Sequence, residues 1–143
     1  MEIAGNFSKC GLNAYVSKDI KYDMWKKVVL NCILNPVTSI LKINNGGITN
    51  QKLNSLKGLI ADECVKVAKK EGVNFNLDFV DLTNKDFNNA QNISSMRQDL
   101  IKGKKTEIDC LNGAVSKLGK KHGVKCPVNE ALANIINSIS RAN

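Results

Sequence analysis

Aromatic residues make up only 5% of the chain, with a single Trp, so aliphatic side chains have to supply the core. No apolar run approaches the ~20 residues that a membrane-spanning helix needs, and the first twenty residues lack the charged-then-apolar plan of a signal peptide. The reading from these is a soluble, cytoplasmic domain. There is one histidine, His122, and none of the five cysteines (Cys10, Cys32, Cys64, Cys110 and Cys126) stand in a C-x-x-C pair. That speaks against a zinc centre and for free thiols in a reducing compartment, most of them small buried apolar residues; no metal is expected. Arginine is scarce, 2 against 19 lysines, although it is the residue that reads bases and grips phosphates in two-point fashion. The chain also has no G-x-G-x-x-G; Gly46 and Gly47 stand alone. The glycine loop that cradles a dinucleotide pyrophosphate is therefore missing.

What is present is one domain's worth of chain. The 143 residues, 43% of them hydrophobic, suffice for one core that buries roughly two-thirds of the unfolded surface. The formal charge of +8 invites an anionic partner, but 19 asparagines beside the lysines read equally well as a compositional habit. No internal repeat or low-complexity tract is visible.

Residues 3–11 suit a short helix ended by Gly11. Residues 12–17 alternate apolar and polar as a strand does, and a lone strand in a helical chain suggests that the sequence begins inside a larger protein. From Asp19 the period is helical: 20–43, interrupted at Pro36; 50–71, with Leu53, Leu56, Leu59 or Ile60, Cys64 and Val67 on one stripe; a helix from Asn76 to about 90; 96–102, capped by Ser94 or Ser95; 107–122, opened by Thr106; and 130–141 after Pro127 and Asn129. Short loops between six or seven helices give an all-α fold.

Helix 20–43 is the informative element. At about 100° per residue, Asn31, Asn35 and Thr38 fall within roughly 80° of Lys27, and most of the remaining circumference is apolar. Either this narrow polar seam is the solvent edge or it lines a cleft. In a cleft, a lysine can hydrogen-bond a carbonyl oxygen and donate a proton, and asparagines can donate and accept at once, which suits a hydroxyl-bearing ligand. A second constellation runs Ser94-Ser95-Met96-Arg97-Gln98-Asp99, Thr106-Glu107-Ile108-Asp109 and Asn112-Gly113. Caps explain much of it: Ser94 or Ser95 at an N-terminus, Thr106 with Asp109 as a capping-box variant, Glu107 in a first turn. Gly113 inside a helix suggests close packing or the approach of a ligand.

Taken in order, W-K-K-V-V-L-N-C-I-L-N-P-V-T (25–38), N-N-G (44–46), S-S-M-R-Q-D-L (94–100), T-E-I-D-C-L-N-G (106–113) and G-V-K-C-P-V-N (123–129) resemble the C-terminal domain of the ketopantoate reductase (2-dehydropantoate 2-reductase) family. The resemblance spans about residues 10–140. It implies an all-α domain of the 6-phosphogluconate-dehydrogenase-C-terminal-like type over 19–143, facing a Rossmann domain across a cleft, with 1–18 as the remnant of that missing domain and one leftover strand in it. It further implies NADPH-dependent reduction of a 2-oxo acid, ketopantoate, in pantothenate synthesis, with NADPH bound mainly by the absent domain and the fragment inactive alone. Residue by residue, Lys27 matches the family's catalytic lysine; Asn31, Asn35, Asn45 and Ser95 match its substrate-binding residues; Glu107 matches an acidic residue serving cofactor and catalytic-site organisation. Local positive charge is expected to favour the anionic ligands. A homodimer is compatible with the resemblance; nucleic acid and membrane are not expected partners. The alternatives are a paralogous 2-oxo acid reductase domain, or a basic helical interaction or nucleic-acid module whose binding would show a steep salt dependence.

Overall fold

The computed structural model describes residues 2–12 and 16–142. Seven α-helices follow in order among them: α1 Glu2–Lys9, α2 Ile20–Leu41, α3 Asn54–Lys70, α4 Phe79–Asp86, α5 Ser95–Ile101, α6 Asn112–His122 and α7 Pro127–Ala142, with 3-10 turns at Asn45–Thr49, Gln51–Leu53 and Ile108–Cys110. No strand occurs among the described residues. The strand expected over 12–17 falls on residues 13–15, outside the described residues, and Leu12, Val16 and Ser17 beside them have no strand geometry. The chain is all-α, as the helical period required, and none of the described helices is long and apolar enough to cross a membrane.

α2 is the central element, packed against α3, α4, α5 and α7. Asp19 caps it, accepting the amide of Tyr22 at 3.0 Å, and Val29, Cys32, Ile33 and Val37 enter the core with Ile60, Cys64 and Val67 of α3, Val115 of α6 and Ile136 of α7. The stripe on α3 uses Ile60; Leu59 points out.

The helix is not interrupted at Pro36, which lies inside it. A proline there removes the N–H that should reach the carbonyl four residues back, here that of Cys32. Asn112 supplies the missing donor: its Nδ2 gives a hydrogen bond to the Cys32 carbonyl at 3.0 Å and another to Oδ1 of Asn129 at 2.9 Å. Asn129 passes the network on, its Nδ2 donating to Glu63 at 2.7 Å. The carboxylate of Glu63 also accepts the amides of Val128 and Asn129, each at 2.9 Å. It therefore caps α7, whose first residue, Pro127, needs no donor of its own. One buried polar chain thus ties α2, α6, α7 and α3 together.

Other boundaries move for local reasons. Gln51–Leu53 form a 3-10 turn capped by Asn50, so α3 starts at Asn54. α4 is capped by Asp78, not Asn76, because the Asp78 carboxylate receives the amides of Val80 and Asp81. The expected helix 107–122 is a 3-10 turn and then α6, separated at Leu111, whose φ and ψ of −107° and −101° are not helical. Thr106 does not form the capping box: its hydroxyl is buried without a partner, and Asp109 accepts from Asn137 instead.

Candidate functional site

The polar seam of α2 changes character along its length. Lys27 is exposed, Asn31 half-buried, Asn35 only 5% exposed and Thr38 wholly buried. It is not a uniform solvent edge; it starts at the surface and runs inward beneath neighbouring segments.

At the open end, Lys27 and Asn31 line one groove, of about 520 Å³, with Leu30 and Met24 of α2 and Asp86 and Phe87 at the end of α4. The ammonium of Lys27 has no ion-pair partner among the described residues. The charge of the groove is mixed: Asp23 and Asp86 line it along with Lys26 and Lys27, and Asp23 is engaged by the hydroxyl of Ser17 at 2.6 Å. The expected local excess of positive charge is therefore absent from these walls; attraction for an anion has to come from Lys27 itself. Ile20 and Met24, which line the same groove, are 65% and 62% exposed, so part of its rim is apolar.

At the inner end, two segments fold over α2. The turn Asn45–Thr49 packs on α2 and α4. It is pinned by the amides of Asn45 and Gly46, which donate to the carbonyls of Asn92 and Ala90, both at 2.8 Å. This approach needs a glycine at 46, since a Cβ there would stand 2.7 Å from the Ala90 carbonyl oxygen. Asn45 is buried, and its side-chain carbonyl oxygen has no hydrogen-bond partner. The second segment is the start of α5. Ser94, not Ser95, is its cap: the Ser94 hydroxyl accepts the amide of Arg97 at 3.3 Å and a hydrogen bond from Thr38 at 3.0 Å. With Ser94 holding the helix to the seam, the next residue, Ser95, is left exposed with its hydroxyl free of the capping duty.

The structure thus gathers Lys27, Asn31 and Asn35 on one stripe of α2 and brings the carriers of Asn45 and Ser95 against the same helix. Glu107 is not among the residues that line the Lys27 groove. Glu107 is exposed at the entry to the 3-10 turn Ile108–Cys110, and its carboxylate makes no ion pair among the described residues. That turn meets α2 on another flank, across an apolar groove of about 370 Å³ between Trp25 and Val28 on one side and Cys110 and Leu111 on the other. Gly113 has only ordinary contacts, the nearest at 3.4 Å, so it does not mark close packing.

Sequence reasoning passed over Lys57, whose side chain is wholly buried in α3. A signal was available, because Lys57 falls between Leu56 and Ile60 of the apolar stripe. The pairing of Pro36 with Asn112 was also overlooked; a proline inside a helix calls for a donor elsewhere.

Residues 19–140 match the family described as ketopantoate reductase PanE/ApbA C terminal. The 2-dehydropantoate 2-reductase of Archaeoglobus fulgidus is 35% identical over 135 residues, covering 90% of this chain and 44% of the relative. That of Lactococcus lactis is 35% identical over 143 residues, covering 96% and 46%. The chain therefore spans about half the length of these curated relatives. Among solved structures, a D-mandelate dehydrogenase in ternary complex with NADH and anilino(oxo)acetate superposes with a TM-score of 0.91 at 30% identity, covering 99% of this chain and 60% of that one. A PanE/ApbA family ketopantoate reductase from Ralstonia eutropha gives 0.87 at 27%, covering 99% and 48%.

Proposed function

The chain belongs to the ketopantoate reductase family as its C-terminal domain, and we propose that it is the substrate-binding and proton-donating half of an NADPH-dependent 2-dehydropantoate 2-reductase. The observation that carries this is the graded seam: an unpaired Lys27 at a groove mouth, with Asn31 and Asn35 one and two turns deeper on the same stripe. A 2-oxo acid needs such an order of groups, a cation at the ketone oxygen and neutral donor–acceptors beyond it.

In the proposed reaction the ketone oxygen gains negative charge as its carbon accepts a hydride. The Lys27 ammonium stabilises that charge and then gives the oxygen a proton. Asn31, Asn35 and Asn45 hold the carboxylate and the distal hydroxyl, and Ser95 adds a hydroxyl at the rim; together they fix which face of the ketone is presented. The unpartnered side-chain carbonyl of Asn45 supports this assignment, because a ligand hydroxyl would satisfy it. Burial of an unsatisfied acceptor costs about 1–3 kcal/mol, and binding would recover that.

NADPH, when bound by the other half of the enzyme, supplies the hydride. These 143 residues do not hold the dinucleotide on their own: they contain no glycine-rich phosphate loop, and Glu107, the one residue assigned toward the cofactor, is exposed. Turnover accordingly requires a dinucleotide-binding unit in addition. The exposed Ile20 and Met24 of the Lys27 groove suit burial under such a unit, which would also exclude water from the proton transfer.

A second reading, reduction of a different 2-oxo acid, is favoured by the superposition on D-mandelate dehydrogenase. Ketopantoate and phenylglyoxylate assayed side by side separate the two. The role of Lys27 is tested by steady-state kinetics of the full-length reductase carrying this domain. Lys27→Ala is expected to lower kcat by about 10²–10⁴-fold, the scale for loss of a positioned general acid. Lys26→Ala, which removes the other lysine of the groove but one about 100° off the stripe of Asn31 and Asn35, is expected to do far less. Equal activity of the two variants contradicts the assignment.

A further inference from the structure

Lys57 has a fully buried side chain and makes no ion pair among the described residues. Its ammonium donates to the backbone carbonyl of Ile48 at 2.9 Å and to Oδ1 of Asn84 at 2.5 Å. Asn84 in turn donates to Oδ1 of Asn54 at 3.4 Å. The charged residues on the surrounding elements, Lys52, Asp62, Lys66, Asp81, Lys85 and Asp86, are exposed. Glu63, the buried acid of the same helix, is committed to the start of α7. Desolvation holds the Lys57 amine below the usual lysine range.

A buried ammonium facing only neutral oxygens is a poor stabiliser, and an apolar side chain of similar length commonly serves the fold as well or better. The distinctive contribution of Lys57 lies in what it joins. Ile48 belongs to the turn Asn45–Thr49 and Asn84 to α4. The turn carries Asn45, and α4 ends at Asp86 and Phe87 on the wall of the Lys27 groove. One cation therefore joins the turn that carries Asn45 to the helix that ends on the groove wall, and it is not itself part of that wall.

We propose that Lys57 is a positioning residue: from beneath, it fixes the Asn45 turn relative to α4 and thereby sets the affinity of the site for a 2-oxo acid. The site half of this statement rests on the function proposed above; the turn half does not. A charge-assisted hydrogen bond from a fixed donor is what a turn of five residues needs, because its own 3-10 hydrogen bonds hold it weakly.

The test compares the wild-type chain with Lys57→Met, Lys57→Arg and Asn84→Ala. Three properties are read: amide exchange of Asn45 and Gly46 by NMR, affinity for ketopantoate by chemical-shift titration, and urea stability. Lys57→Met is expected to lose at least tenfold protection at Asn45 and Gly46 while amides in the middle of α2 stay protected. Its affinity for ketopantoate should fall at least fivefold, and its urea midpoint should be unchanged or higher. Asn84→Ala, which removes one acceptor only, should shift protection in the same direction in a folded chain, and Lys57→Arg should recover part of it. Unchanged protection in Lys57→Met, or a uniform loss of protection with a lower urea midpoint, overturns the proposal. If no variant, nor the wild type, binds ketopantoate while the local loss of protection is seen, the functional reading fails and the bridging role of Lys57 stands.

Discussion

Replacing Asn112 by alanine removes the donor that compensates for Pro36. Its Nδ2 serves two buried acceptors, the Cys32 carbonyl and Oδ1 of Asn129, and Asn112 and Asn129 are both wholly buried, so water cannot easily take its place. An acceptor left unpaired costs about 1–3 kcal/mol; the Cys32 carbonyl loses its side-chain donor, whereas Oδ1 of Asn129 keeps the Cys64 thiol at 3.6 Å, so Asn112→Ala is expected to lose about 2–3 kcal/mol in all. With an unfolding entropy of about 2.1 cal/mol/K per residue, a chain of 143 residues loses about 3 °C of Tm per kcal/mol, so Tm should fall by about 7–10 °C. The specific claim is the partnership with Pro36, and a double-mutant cycle isolates it. Pro36→Ala restores a backbone N–H in reach of the Cys32 carbonyl. In that background Asn112→Ala should cost about 1–2 kcal/mol less than in the wild type. Urea unfolding of the four proteins, followed by circular dichroism at 222 nm and compared at a common slope, reads the difference. Additivity within about 0.3–0.5 kcal/mol would refute the idea that Asn112 stands in for the missing proline donor.

Gly46→Ala places a Cβ 2.7 Å from the carbonyl oxygen and 3.0 Å from the nitrogen of Ala90; both are backbone atoms, so the turn must move, and a stability loss of about 1–3 kcal/mol in urea is expected, with a loss under 0.5 kcal/mol counting against the packing described. Native thiol reactivity should divide sharply: Cys10 and Cys110 are exposed, while burial pushes Cys126 up to about 11 and a hydrogen bond with Cys32, with burial added, raises Cys64 well above the ordinary thiol range. Because the thiolate is the nucleophile, mass spectrometry after iodoacetamide at pH 8 should find two labelled sites in the folded chain and five in urea; rapid labelling of Cys64 or Cys126 in the folded chain would contradict this.

Much of the site was legible because helical geometry is regular. The stripe Lys27–Asn31–Asn35–Thr38 follows from spacing alone, and the all-α fold follows from caps and periods. The breaks in the reading have physical causes. Pro36 reads locally as an interruption, and only the side chain of Asn112, 80 residues away, shows why it is not one. The cap of α7 is Glu63, 65 residues before Val128, so no local signal could mark it. Lys57 looks like a surface residue to any rule based on residue type; its place between Leu56 and Ile60 hints at burial, but its two oxygen partners come from a turn and another helix. The grading of the seam from exposed to buried depends on the turn at Asn45 and the cap at Ser94, and α2 itself carries no trace of either.

The central claim is that this domain holds a 2-oxo acid along the α2 seam, and titration of the isotope-labelled chain with ketopantoate tests it most directly. The account predicts weak but saturable shifts confined to the side-chain amides of Asn31, Asn35 and Asn45 and the backbone of Ser95, with the affinity reduced in Lys27→Ala. Absence of saturable shifts at these groups, or shifts centred instead on the lysine-rich face formed by Lys66, Lys69, Lys70 and Lys125, would contradict it.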